Sequence, residues 1–241
     1  MRLTGWFKRH APVVGLIGGL YFAFATQYVV TTPRWQAPDE PAHFNYARHI
    51  ADGAGLPVLR PGDYDQQQLE RLVSNRFPSG EPADGLKYES HQPPLYYAAA
   101  ALLLTVLESR DLGQQVVALR LLSLLIGLGV ALLSYAAAAQ VFPGHRSWAA
   151  AAATIAALLP QHVAMSSAVN NDGMAEFGLG VVLLLSIHLL RAGFSDLSPG
   201  WGFWIGLGVA LGWVLLAKTT VYGAVLLPIA AVLLGWGSSS A

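Results

Sequence analysis

The feature that most constrains this chain is a series of apolar runs at about 12–31, 116–140, 148–168, 174–190, 201–217 and 220–236. As a helix rising about 1.5 Å per residue, each run approaches the roughly 30 Å hydrocarbon thickness of a bilayer. Composition agrees, since only 12% of the 241 residues are charged and 54% are hydrophobic, whereas about a quarter of the residues of a soluble domain carry charge. The expectation is an all-α, polytopic integral membrane protein with about six transmembrane helices. Residues 1–241 then form one membrane domain, with an outer loop at 32–114 and a helical bundle at 115–236.

The formal net charge of zero conceals an asymmetry. Asp39, Glu40, Asp52, Asp63, Asp65, Glu70, Glu81, Asp84, Glu89, Glu108 and Asp111 all fall between 32 and 114, which marks that stretch as the wet part of the protein. There is no cysteine, so disulfides and thiolate metal sites are excluded. The basic N-terminus, with Arg2, Lys8 and Arg9, precedes an apolar run too long for a signal core, and no small-x-small cleavage site follows it. It reads as an uncleaved first span.

Leu95 to Leu107 is apolar, yet as a helix it covers only about 20 Å, which suits an interfacial rather than a spanning segment. With that segment along the membrane and the N-terminus inside, Arg2, Lys8, Arg9, Arg146 and Arg191 fall on the inner side. The outer loop at 167–172 then carries no Lys or Arg, as the positive-inside rule requires. This points to a multi-pass protein of a cell membrane, the bacterial inner membrane, with a cytoplasmic N-terminus. A loop as long as 32–114 carries structure or function of its own. Asp39 can cap a helix running to about Asp52, with Pro41 in its first turn and Gly53 and Gly55 to stop it. Phe44, Ala47 and Ala51 would share a face suited to lying on the bilayer. A second amphipathic helix is expected around Gln66–Asn75, then a turn-rich stretch at 77–82. The sequence has no internal repeat, and 237–241 reads as a frayed end.

Three polar clusters interrupt the apolar chain: Asp39, Glu40 and His43; Tyr88, Glu89, Ser90, His91 and Gln92 before Pro93-Pro94; and Asn170, Asn171 and Asp172. On the expected topology all three meet at the outer face, where a carboxylate base and hydrogen-bond donors could work beside lipid. Each has a plainer reading. Asp39 and Glu40 could simply cap a helix and complement its dipole, His91 could sit in a surface loop with Tyr96 and Tyr97 as headgroup-depth anchors, and Asn170-Asn171-Asp172 could be a polar turn. Lys218, at the outer end of the fifth run, either snorkels to the interface or pairs with a lipid phosphate. His162 and His188 read as satisfied helix residues. Glu40 and His43 have Glu-x-x-His spacing, but a di-iron bundle needs such motifs on paired helices. No basic patch exists for nucleic acid. The charges from 116 to 236 sit almost entirely at span ends, which disfavours a transporter.

The order Pro38-Asp39-Glu40-Pro41-Ala42-His43-Phe44, Tyr88-Glu89-Ser90-His91-Gln92-Pro93-Pro94-Leu95-Tyr96-Tyr97, Ala118-Leu119-Arg120-Leu121-Leu122-Ser123 and Ser167-Ala168-Val169-Asn170-Asn171-Asp172 resembles the GT-C superfamily of membrane glycosyltransferases. The branch it resembles contains protein O-mannosyltransferases and aminoarabinose transferases. The resemblance covers most of residues 10–230 and rests on motif order rather than on one diagnostic motif. It implies a sugar donor carried on polyprenyl phosphate, with Asp39 as catalytic base or acceptor-positioning residue, Glu40 beside it, and Asp172 as the acidic residue of the second outer loop. The substrate-binding set this suggests is His43, Glu89, His91, Gln92, Asn171, Asp172 and Lys218. In the aminoarabinose branch a Lys usually precedes Pro-Pro, where this chain has Gln92. Family members also continue for several more spans that supply basic groups for the lipid phosphate, so a partner chain completing the fold is an expectation. A divalent metal bridging carboxylates and phosphate is compatible with these residues and not required by them. The alternative is a non-catalytic lipid-binding or assembly subunit built on a truncated scaffold of this type.

Overall fold

A computed structural model describes residues 3–78, 83–195 and 198–237, with side chains described from His10 to Trp236. The expectations placed on Arg2, on 79–82 and on 238–241 lie outside the described residues, as do the Lys8 and Arg9 side chains. The chain is all-helical, 75% helix, with no strand among the described residues. In order the helices are α1 (Leu3–Thr31), α2 (Glu40–Ala51), α3 (Gln66–Ser74), a 3-10 turn (Tyr88–His91), α4 (Leu95–Val106), α5 (Leu112–Val141), α6 (Arg146–Leu158), α7 (Pro160–Met165), α8 (Asp172–Phe194), α9 (Trp201–Ala217), a 3-10 stretch (Thr219–Val225) and α10 (Leu226–Gly237).

Four helical stretches are long and apolar enough to cross a membrane: His10–Thr31, Leu112–Val141, Asp172–Phe194 and Thr219–Trp236. The expected continuous span at 148–168 is instead broken. A residue before proline is pushed out of the helical region, and Leu159 sits at φ −61°, ψ 119°, so α6 ends at Leu158 and α7 restarts with Pro160 in its first turn. Helix α9, at 17 residues, is likewise shorter than those four.

Helix α5 forms the centre, packed against α1, α6 and α8, while α8 also carries α9 and α10. Small residues allow the close approaches. Ala149, Ala153 and Ala157 line one buried face of α6. A Cβ on Gly127 would stand 2.2 Å from the Tyr21 hydroxyl and 2.6 Å from Ser166 Cβ, so only glycine lets α1 and α7 meet α5 there. The outward surfaces of α9 and α10 expose Ile205, Val209, Leu226 and Leu233, as a lipid solvent demands.

Polar bonds identify the two ends of the bundle. At one, Arg120 near the start of α5 reaches carbonyls in and just after the last turn of α1, and Asn171 at the start of α8 donates to Ala217 O at the end of α9, 3.1 Å. At the other, His10 pairs with the Tyr135 hydroxyl, 2.6 Å, and Arg191 donates to Gln140 O, 2.7 Å. Helices α2 and α4 pack on each other, and α4 also touches α5 and α9.

This packing corrects two expectations. Phe44 and Ala47 do not face a bilayer; they are buried in the core shared with Tyr96, Tyr97, Leu104 and Val169. Tyr96 and Tyr97 are not surface anchors but fully buried: Tyr97 stacks on Tyr46 of α2, and the Tyr96 hydroxyl meets Ser123 of α5 at 3.0 Å. The opposite face of α4 is apolar and open, with Leu102 and Val106 at 73% and 78% exposure, which fits a helix lying along lipid. The boundaries of α2 and α3 agree with the sequence reading. Gly53 and Gly55 follow α2 with φ of +76° and +82°, and Asp65 caps α3 by accepting from Gln68 N, 2.9 Å.

Candidate functional site

The Asp39-Glu40 pair is divided by the fold. Glu40 is completely buried, and both its oxygens are occupied. Arg120 Nε donates to Oε1 and Nη2 to Oε2, each at 2.7 Å, while Trp35 N donates to Oε2 at 3.0 Å and Val169 N to Oε1 at 3.3 Å. The same guanidinium donates to Val29 O (3.1 Å), Thr32 O (2.7 Å) and Pro33 O (3.2 Å). A bidentate Arg–carboxylate fork with its remaining donors on carbonyls is the geometry that makes a buried ion pair tolerable. Glu40 is therefore enclosed in the packing, where it ties together α1, α2, α5 and the loop before α8.

Asp39 points the other way. It occupies the N-cap position of α2 with φ 57°, ψ 3°, and its side chain makes no cap bond, so the plain capping expectation is also corrected. Asp tolerates this left-handed backbone better than most residues. Its carboxylate is exposed and accepts the Tyr88 hydroxyl at 2.9 Å. Trp35 adopts the same handedness, φ 67°, so the short loop coiled around the Glu40 carboxylate is strained at two non-glycine residues. Strain of this kind persists where surrounding contacts over-determine it, and here the Glu40–Arg120 clamp does so. Asp39 and Tyr88 line a cleft of about 280 Å³ walled by Trp35, Leu69, Val73 and Phe77. Tyr64 packs edge-on to Tyr88, ring centroids 5.5 Å apart.

The second polar cluster lies against the first. Partial burial pushes the Glu89 carboxyl above the ordinary carboxylate range; a Gln92 hydrogen bond opposes this, the Asp39 charge adds to it, and His91 and Lys218 oppose it. His91 is exposed and its Nδ1 meets Tyr88 O at 2.9 Å, within its own turn. Gln92 is nine-tenths buried with Oε1 left without a partner. His43 is not at the surface. It is buried, hydrogen-bonded through Nδ1 to the Tyr97 hydroxyl at 2.7 Å, and held neutral, with burial first and then the Lys218 and His91 charges lowering its pKa to about 3. It lies in the packing between α2 and α4.

The third cluster is split in the same way. Asn170 Oδ1 accepts from Asp172 N, 2.9 Å, a local polar turn. Asn171 is fully buried; its Nδ2 bridges α8 to the end of α9, while its Oδ1 has no partner among the described residues. Asp172 forms an ion pair with Lys218, both partly exposed, which answers the expected lipid phosphate at Lys218 with a partner inside the chain. His162 pairs with Glu176 at 3.0 Å, and His188 packs on the Phe203 ring.

The fold thus gathers Asp39, Glu89, His91, Gln92, Asp172 and Lys218 around one end of the bundle and withdraws Glu40, His43 and Asn171 into the packing. Sequence reasoning missed Arg120 as the partner of Glu40. Its signal was available, since an arginine inside an otherwise uncharged 30-residue helix has to be paired. Among the described residues no group of three His, Asp or Glu side chains converges as a metal ion would need. No family model, curated protein or solved structure matches the chain.

Proposed function

We propose that this chain is a GT-C-type glycosyltransferase component that moves a sugar from a polyprenyl-phosphate donor to an acceptor hydroxyl or amine at the outer face of a bacterial inner membrane. The observation that carries the reading is the exposed Asp39 carboxylate, held by Tyr88 on the wall of a cleft at the polar end of an apolar bundle. In this reaction Asp39 takes the acceptor proton as the acceptor oxygen or nitrogen attacks the anomeric carbon. The bond from that carbon to the donor phosphate breaks, and polyprenyl phosphate leaves with the electron pair. In this reading Glu89 and His91 orient the sugar, and Lys218, whose charge Glu89 feels, offers a cation that is shared with Asp172. The six crossings this reading uses are the four long stretches, the broken α6–α7 pair and α9.

One observation favours the lipid-binding alternative. Among the described residues none lining the Asp39 cleft is basic, so in this reading the donor phosphate depends on Lys218 or on a further chain for its counter-charge. A subunit awaiting such a chain would bind the donor without turning it over. The test is release of polyprenyl phosphate from a polyprenyl-phosphate sugar in membranes containing the protein, with Asp39→Asn as the comparison. Turnover that disappears in the variant is expected. Turnover that survives the substitution overturns the role of Asp39, and donor binding without turnover in both favours the subunit reading.

A further inference from the structure

A second cleft, of about 290 Å³, opens on the other side of α2 and shares no lining residue with the Asp39 cleft. That size is at the lower end for ligand pockets and suits a headgroup or small ion rather than a whole cofactor. His49, at the end of α2, Arg60, in the loop after it, and Lys87, just before the 3-10 turn, all line the cleft, and none of these three side chains makes a hydrogen bond or ion pair among the described residues. Ser90, only 8% exposed, lines it as well, and its hydroxyl makes no hydrogen bond among the described residues. That hydroxyl is open to the cleft and so available to donate to a ligand there.

One carboxylate, Asp63, lines the same space, but it closes its own turn by accepting Arg60 N at 2.7 Å. Asp52 and Asp84 line the adjoining hollow, which His49 and Lys87 border as well, so those two side chains stand between the cleft and the aspartates while Arg60 and Ser90 face the cleft alone. Guanidinium, ammonium and hydroxyl donors around one cavity match a tetrahedral oxyanion, the arginine giving directional bonds and the lysine a point charge. The lip adds a second element. Leu56 and Val58 line the same cleft and stand 61% and 69% exposed, apolar surface that an acyl or prenyl chain would cover.

We infer that this cleft binds a phosphate ester group, with Arg60, Lys87 and Ser90 as its donors. The inference goes beyond the transfer reading and does not depend on it. The ester arrives either as the headgroup of an amphiphile at the membrane surface or as a free phosphate-bearing compound. Its test uses the full chain in maltoside micelles, titrated with dihexanoyl phosphatidic acid, with dihexanoylglycerol as the phosphate-free control, and with inorganic phosphate.

Saturable binding of the phosphatidic acid is expected, weakened about tenfold or more in the Arg60→Gln, Lys87→Gln double variant, the scale of losing charge-assisted hydrogen bonds. Arg76→Gln, on an exposed residue outside the cleft, should bind as the natural chain does. Much tighter binding of the lipid than of inorganic phosphate assigns the headgroup as the source, and equal binding assigns a free compound. Absence of saturable binding by either, or binding untouched by the double variant at an unchanged unfolding temperature, overturns the assignment. No turnover enters the readout, so its failure is distinct from that of the transfer reading.

Discussion

Two neighbouring carboxylates, Asp39 and Glu40, finish in opposite surroundings because only one of them has a guanidinium to meet. Removing Arg120 as Arg120→Leu leaves Glu40 buried and unpaired, which costs about 3–5 kcal/mol. Arg120→Lys is also expected to be destabilising, since an ammonium cannot span both Glu40 oxygens and the three carbonyls at once. Denaturant unfolding in detergent checks both, and Glu40→Gln added to Arg120→Leu should recover part of the loss. His43 yields a pH dependence of definite sign. Its pKa is about 3 in the folded chain against an ordinary value of 6.5, so between those values the unfolded chain binds a proton that the folded one refuses. Stability from this group is complete above 6.5 and falls as pH drops toward 3, by at most about 1.4 kcal/mol per pH unit. Unfolding temperatures measured from pH 7.5 to 5 should decline less steeply in His43→Gln than in the natural chain.

At the scale of elements, proline and glycine decide where helices stop and how closely they pass. Pro160 divides one apolar run into α6 and α7, and the divided pair still packs, since Ser167 reaches back to Ala25 O at 3.1 Å. Helices α8 and α10 cross where Gly193 faces Gly235. A Cβ at Gly193 would lie 2.8 Å from Gly235 Cα and 2.7 Å from Trp236. Because one of those contacts is backbone, the helices themselves have to move apart, and overpacking of this kind costs about 1–3 kcal/mol. Gly193→Ala should lower the unfolding temperature, while Gly206→Ala on α9, whose Cβ would meet nothing within 4 Å, should leave it unchanged or raise it slightly. Equal effects of the two substitutions would argue against the close crossing.

For the whole molecule, the two polar ends of the bundle make a topological statement that chemistry can check. The chain contains no cysteine, so single cysteines report cleanly. Gln36→Cys and Asp84→Cys belong to the end that carries Asp39, and His145→Cys and Ser198→Cys to the loops at the end marked by Gln140 and Arg191; all four positions are exposed. In sealed right-side-out vesicles a membrane-impermeant maleimide should label the first two and spare the second two. Labelling of Gln36→Cys and Asp84→Cys from opposite sides would separate the loop from itself and end the single-site reading.

The sequence by itself determined that the chain is helical and membrane-embedded, and where α2 and α3 begin and end, because hydrophobic run length, Gly and Asp positions act locally. It also marked the polar clusters, since charges stand out against an apolar background. The tertiary structure alone decided which members of those clusters stay accessible. Glu40 met Arg120 eighty residues away, His43 met Tyr97, and Asn171 met the end of α9; a buried polar group must be satisfied by whatever the fold brings to it, and that partner is not written in its neighbours. The continuity of the run at 148–168 fails for the opposite reason, a local one. Hydrophobicity counts a run as continuous, whereas the backbone before Pro160 cannot stay helical.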